Sequence, residues 1–261
     1  MIQLNTRTYG DKSNRSLLLL HGFMGASDDW EFVSEKLSKD FYIIAIDLPG
    51  HGGTRCSDVT DFSFEVTAKA IIDYLDDKGI TNTSLAGYSM GGRLALYLSI
   101  YYPERFDKVI IESSSPGLKT EEEREERRLK DALLSKRIYL EPFDIFVHNW
   151  YEMELFQTIN KRSEAYQTMH KRRLKSDPQE LAKSLLYAGT GSQPSLWGKL
   201  VEIKADTLLL TGELDTKFNE IADKMVKMNN RFNRVNIDDA GHNVHFEKPD
   251  EYIKTIKKFL K

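Results

Sequence analysis

Cysteine is nearly missing from this chain: among 261 residues there is one, Cys56. A single thiol excludes an internal disulfide and suits a reducing compartment. With no histidine motif beside it, Cys56 reads as a loop thiol and not as a nucleophile. Long apolar runs are missing too. None approaches the ~20 residues that cross a bilayer, and Met1-Ile2-Gln3-Leu4-Asn5 lacks the basic start and apolar stretch of a signal peptide. The net charge of −3 is too small to draw in a nucleic acid or a membrane surface. There is no internal repeat and no low-complexity linker. These absences leave a soluble, cytoplasmic chain, long enough for one large α/β domain with an insertion.

What is present is an alternation of strands and helices. Residues 1–9 read as an edge strand and Asp11-Lys12-Ser13-Asn14 as a turn. Ser16-Leu17-Leu18-Leu19-Leu20 and Phe41-Tyr42-Ile43-Ile44-Ala45-Ile46 are apolar throughout, as strands buried on both faces are. Ser27 or Asp28 is expected to cap a helix through Leu37, and a second helix is expected from Ser63 to Lys78. Further strands are read at Thr83–Ala86, Val109–Glu112, Thr207–Thr211 and Phe232–Ile237, and helices at Phe218–Met228 and Val244–Leu260. This rhythm predicts a mostly parallel sheet flanked by crossover helices. Between Lys119 and about Leu200 it stops: strand-like runs vanish and Glu121 to Arg128 is almost wholly charged. The expected organisation is a core of residues 1–118 and 201–261, with a helical cap at 119–200.

The stretch that carries chemistry is Gly87-Tyr88-Ser89-Met90-Gly91. Gly-x-Ser-x-Gly between a strand and a helix has the nucleophile-elbow pattern, a strained turn that presents its serine. Such a serine needs a base, and the base an orienting carboxylate. Asp215 in Gly212-Glu213-Leu214-Asp215 and His242 in Ala240-Gly241-His242-Asn243 follow late strands in the order Ser…Asp…His that α/β-hydrolases use. His21-Gly22-Phe23-Met24-Gly25 follows an early strand, so the Phe23 N–H is expected to join the Met90 N–H in an oxyanion hole. His21 then reads as a brace for that loop and His51 as a packed turn histidine. His245 competes for the role of base, but the Gly241 turn favours His242. Asp238 and Asp239 read as turn residues.

Arg93 follows the serine by one helical turn. It is either paired with a carboxylate at the core rim or available to clamp an anion, because a dry guanidinium is costly unless paired. The cap adds Arg124, Arg127, Arg128, Arg172 and Arg173. Glu123–Arg127 and Arg127–Asp131 have the spacing of helix-stabilising pairs that need no function. A simple esterase pocket does not call for so many cations, whereas an anionic substrate does.

With these segments in hand, the chain resembles the 2-succinyl-6-hydroxy-2,4-cyclohexadiene-1-carboxylate synthases of menaquinone biosynthesis, within the α/β-hydrolase superfamily. The likeness rests on the three motifs around His21, Asp47–Gly52 and Ser89–Arg93. It rests also on Ser115-Pro116-Gly117-Leu118, Gly191-Ser192-Gln193-Pro194-Ser195-Leu196-Trp197, Asp215-Thr216-Lys217-Phe218 and Gly241-His242-Asn243-Val244-His245. It implies a carbon–oxygen lyase that eliminates pyruvate from a small polycarboxylate, a cyclohexene bearing a succinyl ketone and an enolpyruvyl ether. It implies no metal and no organic cofactor. Ser89, through His242 and Asp215, becomes a base that removes a proton alpha to the ketone. By the same resemblance Arg93, Tyr88, Arg127, Arg173 and Trp150 contact substrate; the adjacent pairs leave open Arg127 or Arg128, and Arg172 or Arg173. The competing readings are a serine hydrolase of esters, thioesters or C–C bonds, and a non-catalytic receptor for a small molecule.

Overall fold

The computed structural model describes residues 1–261. Seven strands form one sheet in the order β1-β3-β2-β4-β5-β6-β7. They are β1 (Thr6–Tyr9), β2 (Ser16–Leu20), β3 (Tyr42–Ile46), β4 (Thr83–Tyr88), β5 (Phe106–Glu112), β6 (Asp206–Gly212) and β7 (Phe232–Ile237). Only β1 runs antiparallel, against β3. The other strands are parallel, so β2, β4, β5, β6 and β7 all end on one edge of the sheet. Loops on that edge are where an open α/β sheet builds a site.

Alternate residues of each inner strand enter different layers. Leu18, Leu20, Ile44 and Ile46 pack under α2 (Phe64–Asp77) and α3 (Met90–Tyr101). Leu17, Leu19, Ile43 and Ala45 pack against Trp30, α1 (Glu31–Leu37) and the C-terminal helix. A period of two that is apolar on both phases is why these strands read as unbroken hydrophobic runs.

Between β5 and β6 the chain makes a helical excursion: α4 (Glu121–Leu140), α5 (Phe143–Tyr151), α6 (Glu164–Arg173) and α7 (Pro178–Ala188). It has a small core of its own around Phe146, Tyr151, Phe156, Met169 and Leu185. Leu196, Leu200 and Ile203 on the way back already pack with the main core. The sheet edge is completed by α8 (Thr216–Val226), α9 (Val244–Glu247) and α10 (Pro249–Leu260).

Three local expectations are corrected. Residues Ser27–Trp30 form a 3-10 turn entered from Ala26, and α1 starts only at Glu31. The Ser27 N–H is drawn to the Asp47 carboxylate at 2.6 Å, and neither Ser27 nor Asp28 caps the helix. The last helix is two helices, because Pro249 cannot continue α9 and instead begins α10. Glu123 does not reach Arg127; its carboxylate accepts from the N–H groups of Lys119 and Thr120 in a capping box at the start of α4.

Candidate active site

Ser89 stands between β4 and α3 with φ 48° and ψ −106°. A non-glycine residue holds such a conformation only under constraint from its surroundings. Small neighbours are part of that constraint: a Cβ on Gly87 would lie 2.4 Å from the Gly91 carbonyl, and one on Gly91 2.3 Å from the Leu20 carbonyl. The strained turn holds the hydroxyl at the C-terminal edge of the sheet.

The structure brings Ser89, His242 and Asp215 together. His242 Nδ1 lies 2.7 Å from Asp215 Oδ2, and its Nε2 lies 3.1 Å from Ser89 Oγ. A carboxylate can only accept, so Nδ1 carries the hydrogen and Nε2 accepts from the serine hydroxyl. His242 is almost fully buried, with Phe218 4.6 Å away, ring centroid to centroid. His245 lies apart from this line. Its ring donates from Nδ1 to Glu112 at 2.8 Å and stacks on Trp30 at 4.1 Å. It is committed elsewhere in the core and does not reach Ser89. Asp239 is an exposed turn residue with φ 52°.

The loop after β2 faces the serine. Phe23 and Met90 both line the cavity, and their N–H groups have no acceptor within the protein. Two buried histidines hold this loop. His21 Nε2 accepts from the Leu48 N–H at 2.9 Å, which leaves Nδ1 to donate to the Gly22 carbonyl at 2.7 Å. His51 Nε2 accepts from the Met24 N–H at 3.1 Å and Nδ1 donates to the Pro49 carbonyl. Burial, then the neighbouring His21, pushes the His51 pKa down to about 3, so the ring is a neutral brace. Cys56 is half-buried, and burial lifts its thiol to about 11. It takes no part in the site.

The cavity over Ser89 is closed by the cap. Its walls include Tyr88, Trp150, Tyr151, Leu155 and Phe156 beside Ser89 and His242. Arg93, Arg127 and Arg173 reach it, whereas Arg128 and Arg172 do not. Arg128 bonds Glu121 and the Gly191 carbonyl, and Arg172 bonds Glu31 and the Asp28 carbonyl. The helical phase therefore resolves both adjacent pairs.

The three cavity arginines differ in their partners. Arg173 is buried, donating to Asp29 at 2.7 Å and to the Tyr151 hydroxyl at 3.0 Å. Burial opposes its charge, but Asp29 and Tyr151 outweigh that and raise its pKa. Arg127 pairs with Asp131 at 2.7 Å. Arg93 touches no carboxylate. It donates to the Ala188 carbonyl at 3.0 Å and Gln193 Oε1 at 3.2 Å, and lies over the Phe64 ring at 5.5 Å. Burial, followed by the charge of Arg127, pulls its pKa down to about 10. It stays a cation at neutral pH, short of negative charge.

Asp29 and Gln193 were not singled out as individual residues by sequence reading. Asp29 hides in a segment that looks like a helix start, and Gln193 inside a motif whose contact with Arg93 spans 100 positions. No helix is long and apolar enough to cross a membrane.

A family model described as the alpha/beta hydrolase fold matches residues 15–249. A Bacillus subtilis (strain 168) protein, provisionally named 2-succinyl-6-hydroxy-2,4-cyclohexadiene-1-carboxylate synthase, is 36% identical over 253 residues, covering 96% of this chain and 92% of its own. The Salmonella arizonae protein of that name is 30% identical over 247 residues, covering 94% of this chain and 93% of its own. Among solved structures, MenH from S. aureus has a TM-score of 0.93 at 36% identity, covering 98% of this chain and 97% of its own. An enol-lactonase from Burkholderia xenovorans LB400 (TM-score 0.85, 17% identity, 99% of this chain and 96% of its own) shares the fold alone.

Proposed function

The chain belongs to the α/β-hydrolase family and, within it, to the 2-succinyl-6-hydroxy-2,4-cyclohexadiene-1-carboxylate synthases, and on that premise we propose that its triad acts as a base and not as an acylating nucleophile. The protein is a lyase of menaquinone biosynthesis. Its substrate is 2-succinyl-5-enolpyruvyl-6-hydroxy-3-cyclohexene-1-carboxylate, and pyruvate is eliminated from it. A cytoplasmic location suits this chemistry and the lone thiol.

In this reading His242 takes the hydroxyl proton of Ser89 as Ser89 takes the proton alpha to the succinyl ketone. Asp215 keeps Nδ1 protonated and steadies the imidazolium that forms. Electrons move from the broken C–H bond through the ring, the C–O bond to the enolpyruvyl group breaks, and the electron pair leaves on its oxygen. As the ketone oxygen becomes enolate-like, the N–H groups of Phe23 and Met90 are the donors at hand. Losing one such donor typically costs ~10²–10³ in rate. Arg93 and Arg127 meet carboxylates of the substrate, with Tyr88 and Trp150 as walls; Arg173, the third arginine that the resemblance implies, lines the cavity already held by Asp29 and Tyr151.

The observation that carries this is Arg93, a guanidinium in the pocket wall with two neutral acceptors and no carboxylate. Hydrolysis of a neutral ester gives it nothing to do, whereas a substrate carboxylate would complete it. The test is a pyruvate-coupled assay on the purified protein with the enolpyruvyl substrate. Pyruvate should appear together with the near-ultraviolet absorbance of a conjugated diene. An acyl group trapped on Ser89 by simple esters, with no pyruvate released, would replace this reading by a serine hydrolase.

A further inference from the structure

Besides His242, the charged side chains that line the cavity are Asp29, Arg93, Arg127, Arg173 and Lys217. Asp29 is taken by Arg173 at 2.7 Å, and Arg127 is taken by Asp131, also at 2.7 Å. Two cations remain, Arg93 and Lys217, and neither makes an ion pair. Arg93 sits in the wall beneath the cap. Lys217 is exposed in the first turn of α8, two residues after Asp215, with its ammonium 5.5 Å from the Phe218 ring centroid. Because Phe218 packs against His242, Lys217 stands at the mouth of the cavity on the side of the reacting groups.

We propose that Lys217 binds the carboxylate of the enolpyruvyl group, the part of the substrate that departs as pyruvate. This rests on the lyase reading given above. A carboxylate that stays with the ring is best held by a fixed partner in a dry wall, and Arg93 is that partner. The carboxylate that leaves must be exchanged for water at every turnover. A hydrated ammonium on a flexible four-carbon stem at the cavity mouth can bind it and release it. Lys217 transfers no proton: it donates hydrogen bonds while the C–O bond breaks, the electron pair goes to the enolpyruvate oxygen, and that enolate takes a proton on carbon to become pyruvate.

The test uses Lys217→Gln and Lys217→Arg, read by pyruvate release at several salt concentrations. A second readout is inhibition by 2-succinylbenzoate, which carries a ring carboxylate and a succinyl chain but no pyruvyl group. Lys217→Gln should raise KM about 5-fold with kcat within about 2-fold, the size of a partly exposed charged contact. The dependence of kcat/KM on salt should become shallower. Lys217→Arg should stay close to wild type, and 2-succinylbenzoate should inhibit all three proteins alike. An unchanged KM in Lys217→Gln overturns the proposal. So does an equal weakening of 2-succinylbenzoate, which would give Lys217 a carboxylate that remains on the ring. Wild-type protein that releases no pyruvate would instead overturn the lyase reading itself.

Discussion

The sheet-borne wall of the cavity and the cap-borne wall each contain an arginine, half-buried in the first and buried in the second, and the two are held by opposite means. Arg173, on α6, crosses from the cap to Asp29 in the core and is satisfied there; its charge is stabilised and its pKa raised. Arg93, on α3, has carbonyl and amide oxygens only, and its pKa is pulled down. A buried ion pair that is complete adds little to stability but is costly to break. A buried cation left incomplete costs stability in the empty protein and gains when an anion arrives. Arg173 thus fastens the cap to the sheet, while Arg93 is the group a ligand would relieve.

The largest expected effect tests whether the sheet wall carries the chemistry. Ser89→Ala should lower kcat by about 10³-fold or more, with KM and inhibition by 2-succinylbenzoate within a few-fold, in steady-state pyruvate release. A comparable fall in inhibitor binding would mean that Ser89 positions substrate instead. The next pair separates the arginines. Arg93→Ala should cost about 10²-fold in kcat/KM, the worth of a charge-assisted contact in a dry wall, and leave urea stability unchanged or higher. Arg173→Ala should lose about 3 kcal/mol in urea unfolding, because it strands Asp29. If both variants lost activity at equal stability, the contrast between the walls would be gone.

A smaller effect concerns the histidines that hold the loop after β2. An unfolded chain protonates His51 below its ordinary value of 6.5, whereas the folded protein does not until about 3. The unfolded state binds more protons throughout that window, so this contribution is whole above pH 6.5 and is lost as pH falls toward 3. Between pH 6.5 and 5 the loss should be about 1.5 kcal/mol. His51→Gln should flatten that limb of a pH series of urea unfolding; an unchanged slope would mean that the ring is protonated in the folded protein.

How far the sequence could be read depends on how local the determinant is. Strands β2 and β3 were legible because burial on both faces writes itself into consecutive residues, and α2 because a helix expected from Ser63 does begin there, with Ser63 as its cap. The order Ser89, Asp215, His242 was legible because each residue follows a strand that ends on the same sheet edge. The 3-10 turn at Ser27 was not, since the carboxylate that draws its N–H lies 20 positions away. The break at Lys248–Pro249 is written in the proline, but the apolar spacing continues across it and masks it. Asp29 was hidden because its partner is in another part of the chain, 144 residues on. The facing of α4 was hidden for a different reason. Leu129, Leu133 and Leu140 are 65%, 64% and 78% exposed, while its inner face carries Arg127, Asp131, Ser135 and Ile138. Hydrophobic periodicity, applied there, selects the outer side.

That inversion on α4 gives the smallest and most discriminating expectation. Arg127 and Arg128 are neighbours with nearly equal side-chain exposure, 37% and 39%. Exposure alone predicts equal effects, whereas facing does not. Arg127 lies on the cavity side, steadied by the buried Asp131, so Arg127→Ala should raise KM about 10-fold. Arg128 spans Glu121 and the Gly191 carbonyl and does not line the cavity. An exposed pair of that kind is worth at most about 1 kcal/mol, and Arg128→Ala should leave kcat/KM within about 2-fold. Were the two variants indistinguishable in pyruvate release, the cap would act on substrate through its overall charge, and the phase of α4 would not matter.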